Sequence, residues 1–313
     1  MEDINEEEDY IDDNIFHVIQ VICILCYSIT FILGIAGNGL VIWIAGFRMK
    51  KMVNIIWFLN LAVADFTFNI FFPLQITELA MEGHWPFGQI MCKVIFTVLH
   101  LNMYVSTFFL MVISIDRCTS VLCPVWSKNR RTSKLAIIIS VVIWLTCLVL
   151  SSPFFAFYDI KQDDYENRFY CYPIYAYEED IHRHRYKVML LVKFVVMFLI
   201  PFTFILFCYL LILIRVRRRQ HILGSERTFR VVVTIVLCFF ICWFPFHFLP
   251  LLEFMNVPMS ANMEFVVLNI SCCLAFFNSC LNPIVYVFIG RDFKKRLIRS
   301  LPSFLENTFR ERC

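Results

Sequence analysis

Three charged positions carry most of the chemistry that this chain offers. Asp116-Arg117-Cys118 ends the third of seven long apolar runs, Asp65 lies in the middle of the second, and Lys193 lies in the outer part of the fifth. A charge at membrane depth costs at least about 2.5 kcal/mol unless it is paired, neutralised or hydrated. Arg117 has Asp116 as its adjacent partner, and taken alone the pair is an interfacial ion pair ending a helix. Asp65 needs a partner or a proton. Lys193 stands eight residues before Pro201 and either meets an anion or water, or snorkels along the bundle. No Walker loop, Gly-x-Ser-x-Gly or His-Glu-x-x-His occurs, and His182 and His184 alternate in a loop where such residues are usually solvated. The chemistry is charge recognition, and the chain is not expected to be an enzyme.

The elements that must hold these charges follow from composition. Of the 313 residues, 60% are hydrophobic, and the mean hydropathy is +0.71. Apolar runs at about 15–45, 53–79, 89–122, 133–155, 186–217, 226–252 and 261–287 each suffice to cross a bilayer roughly 30 Å thick as a helix. The expectation is an all-α membrane protein: a seven-helix bundle over 15–289, an acidic outer segment 1–14, and an inner segment 290–313. The acidic start is the opposite of a signal peptide's basic region, so the first span would act as its own insertion signal. All but seven of the 28 Lys and Arg fall in the links after spans one, three and five and in the tail; the exceptions are Lys93, Lys161, Arg168, Arg183, Arg185, Lys187 and Lys193. By the positive-inside rule the N terminus is outside and the C terminus cytoplasmic. The net charge of +3 therefore reflects cytoplasmic faces and implies no nucleic acid partner.

Most of the fourteen cysteines sit within apolar runs, as small core residues do. Cys92, at the outer start of span three, and Cys171, in the long outer loop of about 156–185, stand apart on the oxidising side. Acidic residues surround Tyr10 and Tyr165, which makes both candidates for sulfation. The acidic N terminus is either plain solvated chain or a means of concentrating a cationic ligand. After Gly290, the apolar residues Phe293, Leu297 and Ile298 share one helical face with basic residues opposite, a pattern for a short amphipathic eighth helix on inner membrane lipid. Pro73, Pro201, Pro245 and Pro283 each remove a backbone hydrogen bond and predict kinks.

Taken in order, Gly37-Asn38, Leu61-Ala62-Val63-Ala64-Asp65, Cys92, Asp116-Arg117-Cys118, Trp144, Pro201 with Tyr209, Cys242-Trp243-Phe244-Pro245 and Asn282-Pro283-Ile284-Val285-Tyr286 resemble the motifs of rhodopsin-class G-protein-coupled receptors. The resemblance covers about residues 20–300. It implies a Cys92–Cys171 disulfide. It implies a sodium ion at Asp65 with Ser106, Asn278 and Ser279, and with Asn102 and Asn38 nearby; the alternative is a hydrated polar knot with no specific ion. It also implies an activation switch in which Trp243, beside the Pro245 kink, repacks. Arg117 would then face the G protein with Tyr209 and Tyr286 close by, while Asn282-Pro283 bends span seven.

Gly37 to Trp43, Trp57 to Phe66, His84-Trp85-Pro86-Phe87-Gly88 and Phe277 to Leu281 narrow the resemblance to the chemoattractant group that holds the chemerin and formyl-peptide receptors. The tail is closer to formyl-peptide receptors, and Cys242 to His247 with Glu253 closer to chemerin receptors. The implied ligand positions are Lys193, facing a peptide's acidic or C-terminal group, and Glu253 at the mouth, with His100, His247, Gln75 and Met189. His100 and His247 are equally readable as satisfied polar residues of a wet cavity. Met189 and His100 stand where formyl-peptide receptors carry an arginine and an acid, which weakens a formyl-methionine reading. The expected partners are an extracellular peptide or small protein and a heterotrimeric G protein of the inhibitory class. Arrestin would have only Ser300, Ser303 and Thr308 as tail phosphorylation sites. A scavenging receptor that binds without signalling is the alternative within the fold, and a transporter the alternative outside it; no repeat symmetry or intramembrane charge relay supports the latter.

Overall fold

The computed structural model describes residues 11–163, 168–174, 179–218, 226–255 and 257–289. Tyr10, Tyr165 and the eighth helix of 290–313 lie outside the described residues, as do the side chains of Glu253 and Tyr286. The chain runs α1 (Asp13–Trp43, continued by a π-helical turn Ile44–Arg48), α2 (Val53–Asn69), α3 (Phe72–Ala80), α4 (Gly88–Leu122), α5 (Pro124–Arg130), α6 (Ser133–Phe157), β1 (Tyr158–Gln162), β2 (Phe169–Pro173), α7 (Glu179–Lys193), a second π-helical turn (Phe194–Leu199), α8 (Ile200–Arg218), α9 (Glu226–Phe254) and α10 (Ala261–Ile289). Among the described residues six helical stretches are long and apolar enough to cross a membrane, and Val236–Leu252 within α9 is a shorter apolar helix. Together they form the seven-helix bundle.

Two of the expected kinks have a visible construction. The second span stops at Asn69 and restarts at Phe72, with Pro73 in the first turn of α3, where its missing N–H removes no helical bond. In the fifth span the π-helical turn Phe194–Leu199 directly precedes Pro201, and its wider ladder absorbs the clash and the missing donor that proline imposes. The outer loop is not structureless: β1 and β2 pair antiparallel with Ile160 opposite Cys171. The inner link after α4 folds as the short helix α5.

The core follows the inner faces. Tyr27, Phe68, Phe72 and Phe276 meet edge-to-face or tilted, with centroids 5.0–5.8 Å apart, and join α1, α2, α3 and α10. The Trp144 indole donates to Asn60 Oδ1 at 2.9 Å and ties α6 to α2. Helix contact is closest where glycine stands: a Cβ on Gly34 would lie 2.2 Å from Asn69 Oδ1, and one on Gly37 2.9 Å from the Pro283 ring. Small residues let membrane helices approach this closely.

Candidate functional site

The polar core of the inner bundle is built around Asp65, which is 1% exposed. Asn102 Nδ2 on α4 donates to Oδ1 at 3.0 Å, and Asn282 Nδ2 on α10 donates to Oδ2 at 2.8 Å. Ser106 Oγ sits beside the carboxylate without hydrogen-bond geometry to any partner. Asn38 Nδ2 donates to the carbonyls of Gly34 (3.0 Å) and Ser279 (2.9 Å), leaving Asn38 Oδ1 buried and open. Ser279 does not aim at Asp65: its hydroxyl donates to Phe276 O at 2.8 Å and to Asn69 Oδ1 at 3.3 Å. Asn278 is buried in the same layer. Asn69, absent from the sequence reading, is fully buried and donates to Asp65 O at 2.6 Å. Its signal was available, because it lies four residues after Asp65 and so on the same helix face.

Fit to a cation can be judged from these donors. No group of three His, Cys, Asp or Glu able to hold a metal occurs among the described residues. The open atoms here are instead one carboxylate, one hydroxyl and one amide oxygen. Such a set suits a hard monovalent ion and offers nothing to a soft metal. The chemistry of these groups fits sodium, which Asp65 and Ser106 would hold; Asn102 and Asn282 turn N–H groups, not oxygens, toward the carboxylate.

At the outer half, Lys193 ends α7 and is half-buried. Its ammonium lies 5.7 Å from the ring centroids of Phe154 and Phe246, and no acid pairs with it among the described residues. Cation–π contact offsets part of the cost of its desolvation. His100, 2% exposed, stacks on Phe154 at 3.5 Å and 10°. Its Nδ1 lies 2.7 Å from Phe96 O, which places a proton on Nδ1, and Nε2 is buried with no hydrogen-bond partner among the described residues. His247 packs on Trp243 and Phe198, and Gln75 is buried with Oε1 open. Met189 packs against the core on the same helix as Lys193. Trp243 is 2% exposed, with rings of Phe239, Phe246 and His247 around it and no partner for its N–H. Phe154 is the residue here that sequence reasoning missed; one aromatic among 35 phenylalanines gives no signal.

The outer mouth is clasped. Cys92 and Cys171 form a disulfide with Cα atoms 5.8 Å apart. Asp159 accepts from Gln89 Nε2 at 2.7 Å and from the Ile160 N–H at 2.8 Å, and pairs with Lys93 at 3.6 Å. Partial desolvation pushes its carboxyl up, but the Ile160 amide, Gln89 and Lys93 outweigh this and hold it below its usual value.

At the end of α4, Asp116 pairs with Arg117 as expected and has a second, closer arginine partner. Arg131, at the α5–α6 turn, grips it through Nε at 2.7 Å and Nη2 at 2.9 Å, whereas Arg117 Nη2 stays 3.9 Å away. Neighbouring residues on a helix diverge, so Arg117 cannot lie flat on Asp116, while Arg131 comes from outside and meets it bidentately. Both arginines also donate to Asn54 Oδ1. Tyr209 is set against Ser114 and Arg117. Asn282 and Pro283 are buried on α10, and Pro245 lies within α9 two residues past Trp243.

Residues 37–286 match the family model of the 7 transmembrane receptor (rhodopsin family). The chain is 41% identical over 313 aligned residues to human chemerin-like receptor 1, covering 93% of this chain and 83% of that receptor. It is 38% identical to human N-formyl peptide receptor 3, covering 98% of this chain and 90% of the relative. To the mouse formyl peptide receptor-related sequence 1 it is 39% identical, covering 96% and 88%. With its seven-helix bundle, its outer disulfide and its Asp65, Asp116-Arg117 and Asn282-Pro283 positions all in register, the chain belongs to the rhodopsin family of seven-transmembrane receptors.

Proposed function

We propose that this chain is a plasma-membrane receptor for a chemoattractant peptide or small protein of the chemerin type, with its N terminus outside and its C terminus in the cytoplasm. The observation that carries the reading is Lys193: a half-buried cation over two phenylalanine rings, without an acid beside it among the described residues. A ligand's C-terminal carboxylate would complete it. Neutral His100 Nε2 then accepts the adjoining amide N–H, and Gln75 Oε1 offers a second acceptor. Glu253 is the acid that the sequence offers for the mouth. Ligand contact repacks Trp243, the Asp65 site releases its sodium, and the inner end of α9 swings out so that Arg117 meets an inhibitory-class G protein, as chemotaxis requires. Inhibitory G-protein activation in transfected cells tests this, comparing a chemerin C-terminal peptide with an N-formyl-methionyl peptide. A response to the chemerin peptide alone is expected. A response to the formyl peptide alone would favour the second reading, which the relatives of 38–39% identity support. Ligand uptake with no G-protein activation would make the chain a scavenging receptor.

A further inference from the structure

We propose a lipid site on the outer wall of the bundle, at the end that carries Arg117: a pocket for one anionic glycerophospholipid between α2, α4, α5 and α6. An open-mouthed cavity of about 140 Å³ lies there. Its apolar walls are Trp57, Ile115, Trp126, Leu135 and Ile139, with Ala136 on the floor. The floor is closed, since Trp57 is 3% and Ala136 2% exposed. The rim is open: Trp126, Leu135 and Ile115 are 56%, 42% and 38% exposed. On a membrane bundle an exposed apolar rim faces acyl chains, so the cavity opens to lipid.

Charge selects the kind of lipid. The one acid in the walls is Asp116, already held by two hydrogen bonds from Arg131. Arg130, also in the wall, is exposed and makes no ion pair among the described residues. Lys128 and Lys134 flank it at the exposed end of α5 and the exposed start of α6. The rim is therefore cationic directly above an apolar slot. A headgroup phosphate on Arg130 with an acyl chain along Leu135 and Ile139 satisfies both, whereas a zwitterionic lipid offers no net negative charge to the three basic side chains. The seat lies beside the Arg131–Asp116 grip, so its occupant would stiffen α5 where the cytoplasmic partner docks. The inference rests on the cytoplasmic placement of this face but not on the ligand of the outer cavity.

The test uses the full chain in bilayers with a phosphatidylserine carrying a photoreactive group in its acyl chain. Label is expected on the segment 126–139, at least fivefold above that from phosphatidylcholine with the same chain. Arg130→Gln with Lys134→Gln, both at exposed positions, should reduce the anionic label severalfold, while Lys50→Gln with Lys51→Gln should leave it. Excess water-soluble glycerophosphoserine should not displace it. Equal labelling by both lipids, or label unchanged in the Arg130 and Lys134 double variant, would overturn the site as general lipid contact. Displacement by the free headgroup would overturn it as a soluble-phosphate site. Labelling needs no agonist, so its failure is distinct from failure of the receptor reading.

Discussion

Asp65 and Lys193 are both charges placed inside the bundle, and their surroundings are opposite. Asp65 is enclosed by amide donors, with Asn102 and Asn282 each within 3.0 Å. Two buried oxygens of this part of the bundle, Ser106 Oγ and Asn38 Oδ1, have no hydrogen-bond partner among the described residues. Lys193 has rings and unpaired polar atoms for neighbours and no carboxylate among the described residues. The first region meets its charge with hydrogen-bond donors on both carboxylate oxygens and leaves only oxygens open, a chemistry that admits a cation. The second is left incomplete. An unpaired buried polar atom costs about 1–3 kcal/mol, and a ligand that supplies the missing partner recovers that cost on binding. A bundle of one fold thus carries a finished polar core beneath an unfinished one.

Packing should break this comparison first, because a finished core tolerates no added volume. Gly34→Ala puts a methyl 2.2 Å from Asn69 Oδ1, and Asn69 cannot turn aside without losing its bond to Asp65 O. Overpacking and the lost bond together should cost about 2 kcal/mol or more. A thermal midpoint lower by roughly 5 °C or more in detergent is expected. Adding Asn69→Ala should recover part of it, since the two positions share one space. Met189→Ala, at a partly buried position on the helix of Lys193, should cost less than Gly34→Ala; equal losses would show that the outer region is as tightly built as the inner one.

Removing the unfinished charge comes next. Lys193→Ala should weaken an acid-terminated peptide agonist about tenfold to a hundredfold, the range for a charged hydrogen bond of about 1.5–3 kcal/mol. The amide-terminated peptide should lose far less. Equal losses for the two peptides would mean that Lys193 packs or snorkels and holds no carboxylate. The counterpart inside is Asp65→Asn. Added sodium should lower agonist affinity in the unchanged receptor by severalfold and do nothing in the variant. Persistence of the sodium effect would move the ion elsewhere, and its absence from both would leave Asp65 as a hydrated polar knot.

How far the sequence foretold these surroundings depends on how local each contact is. The spans were legible because roughly 20 apolar residues in a row have no soluble alternative. Asn69 was legible in principle from its i, i+4 spacing to Asp65, and the pairing of Cys92 with Cys171 came mostly from family resemblance, helped by their place on the oxidising side. The grip of Arg131 on Asp116 was not legible, because it depends on how α5 turns the chain back. Nor was the hairpin of β1 and β2, whose strands Tyr-Asp-Ile-Lys-Gln and Phe-Tyr-Cys-Tyr-Pro alternate too weakly to stand out from a loop. Ser279 fell in the expected layer but turned to Asn69, since helical register sets which layer a residue joins and neighbours set where its hydroxyl points.

The smallest effect should come from the clasp, and it sharpens the comparison by adding a charge that already has its ion-pair partner. Asp159 is held below its usual carboxyl value because the Ile160 amide, Gln89 and Lys93 outweigh partial desolvation. A lowered folded pKa gives stability that is fully present above the unfolded value of about 3.9 and is lost as pH falls through the folded one. The thermal midpoint should therefore stay flat in this respect from pH 7 to 5, and a difference between the unchanged receptor and Asp159→Asn should shrink only below about pH 4. Because solvent screens the site, the difference at neutral pH should be within about 1 kcal/mol. A larger loss, or one that sets in near pH 6, would show that the clasp is built like the enclosed Asp65 core and holds the mouth of the bundle through more than a solvated ion pair.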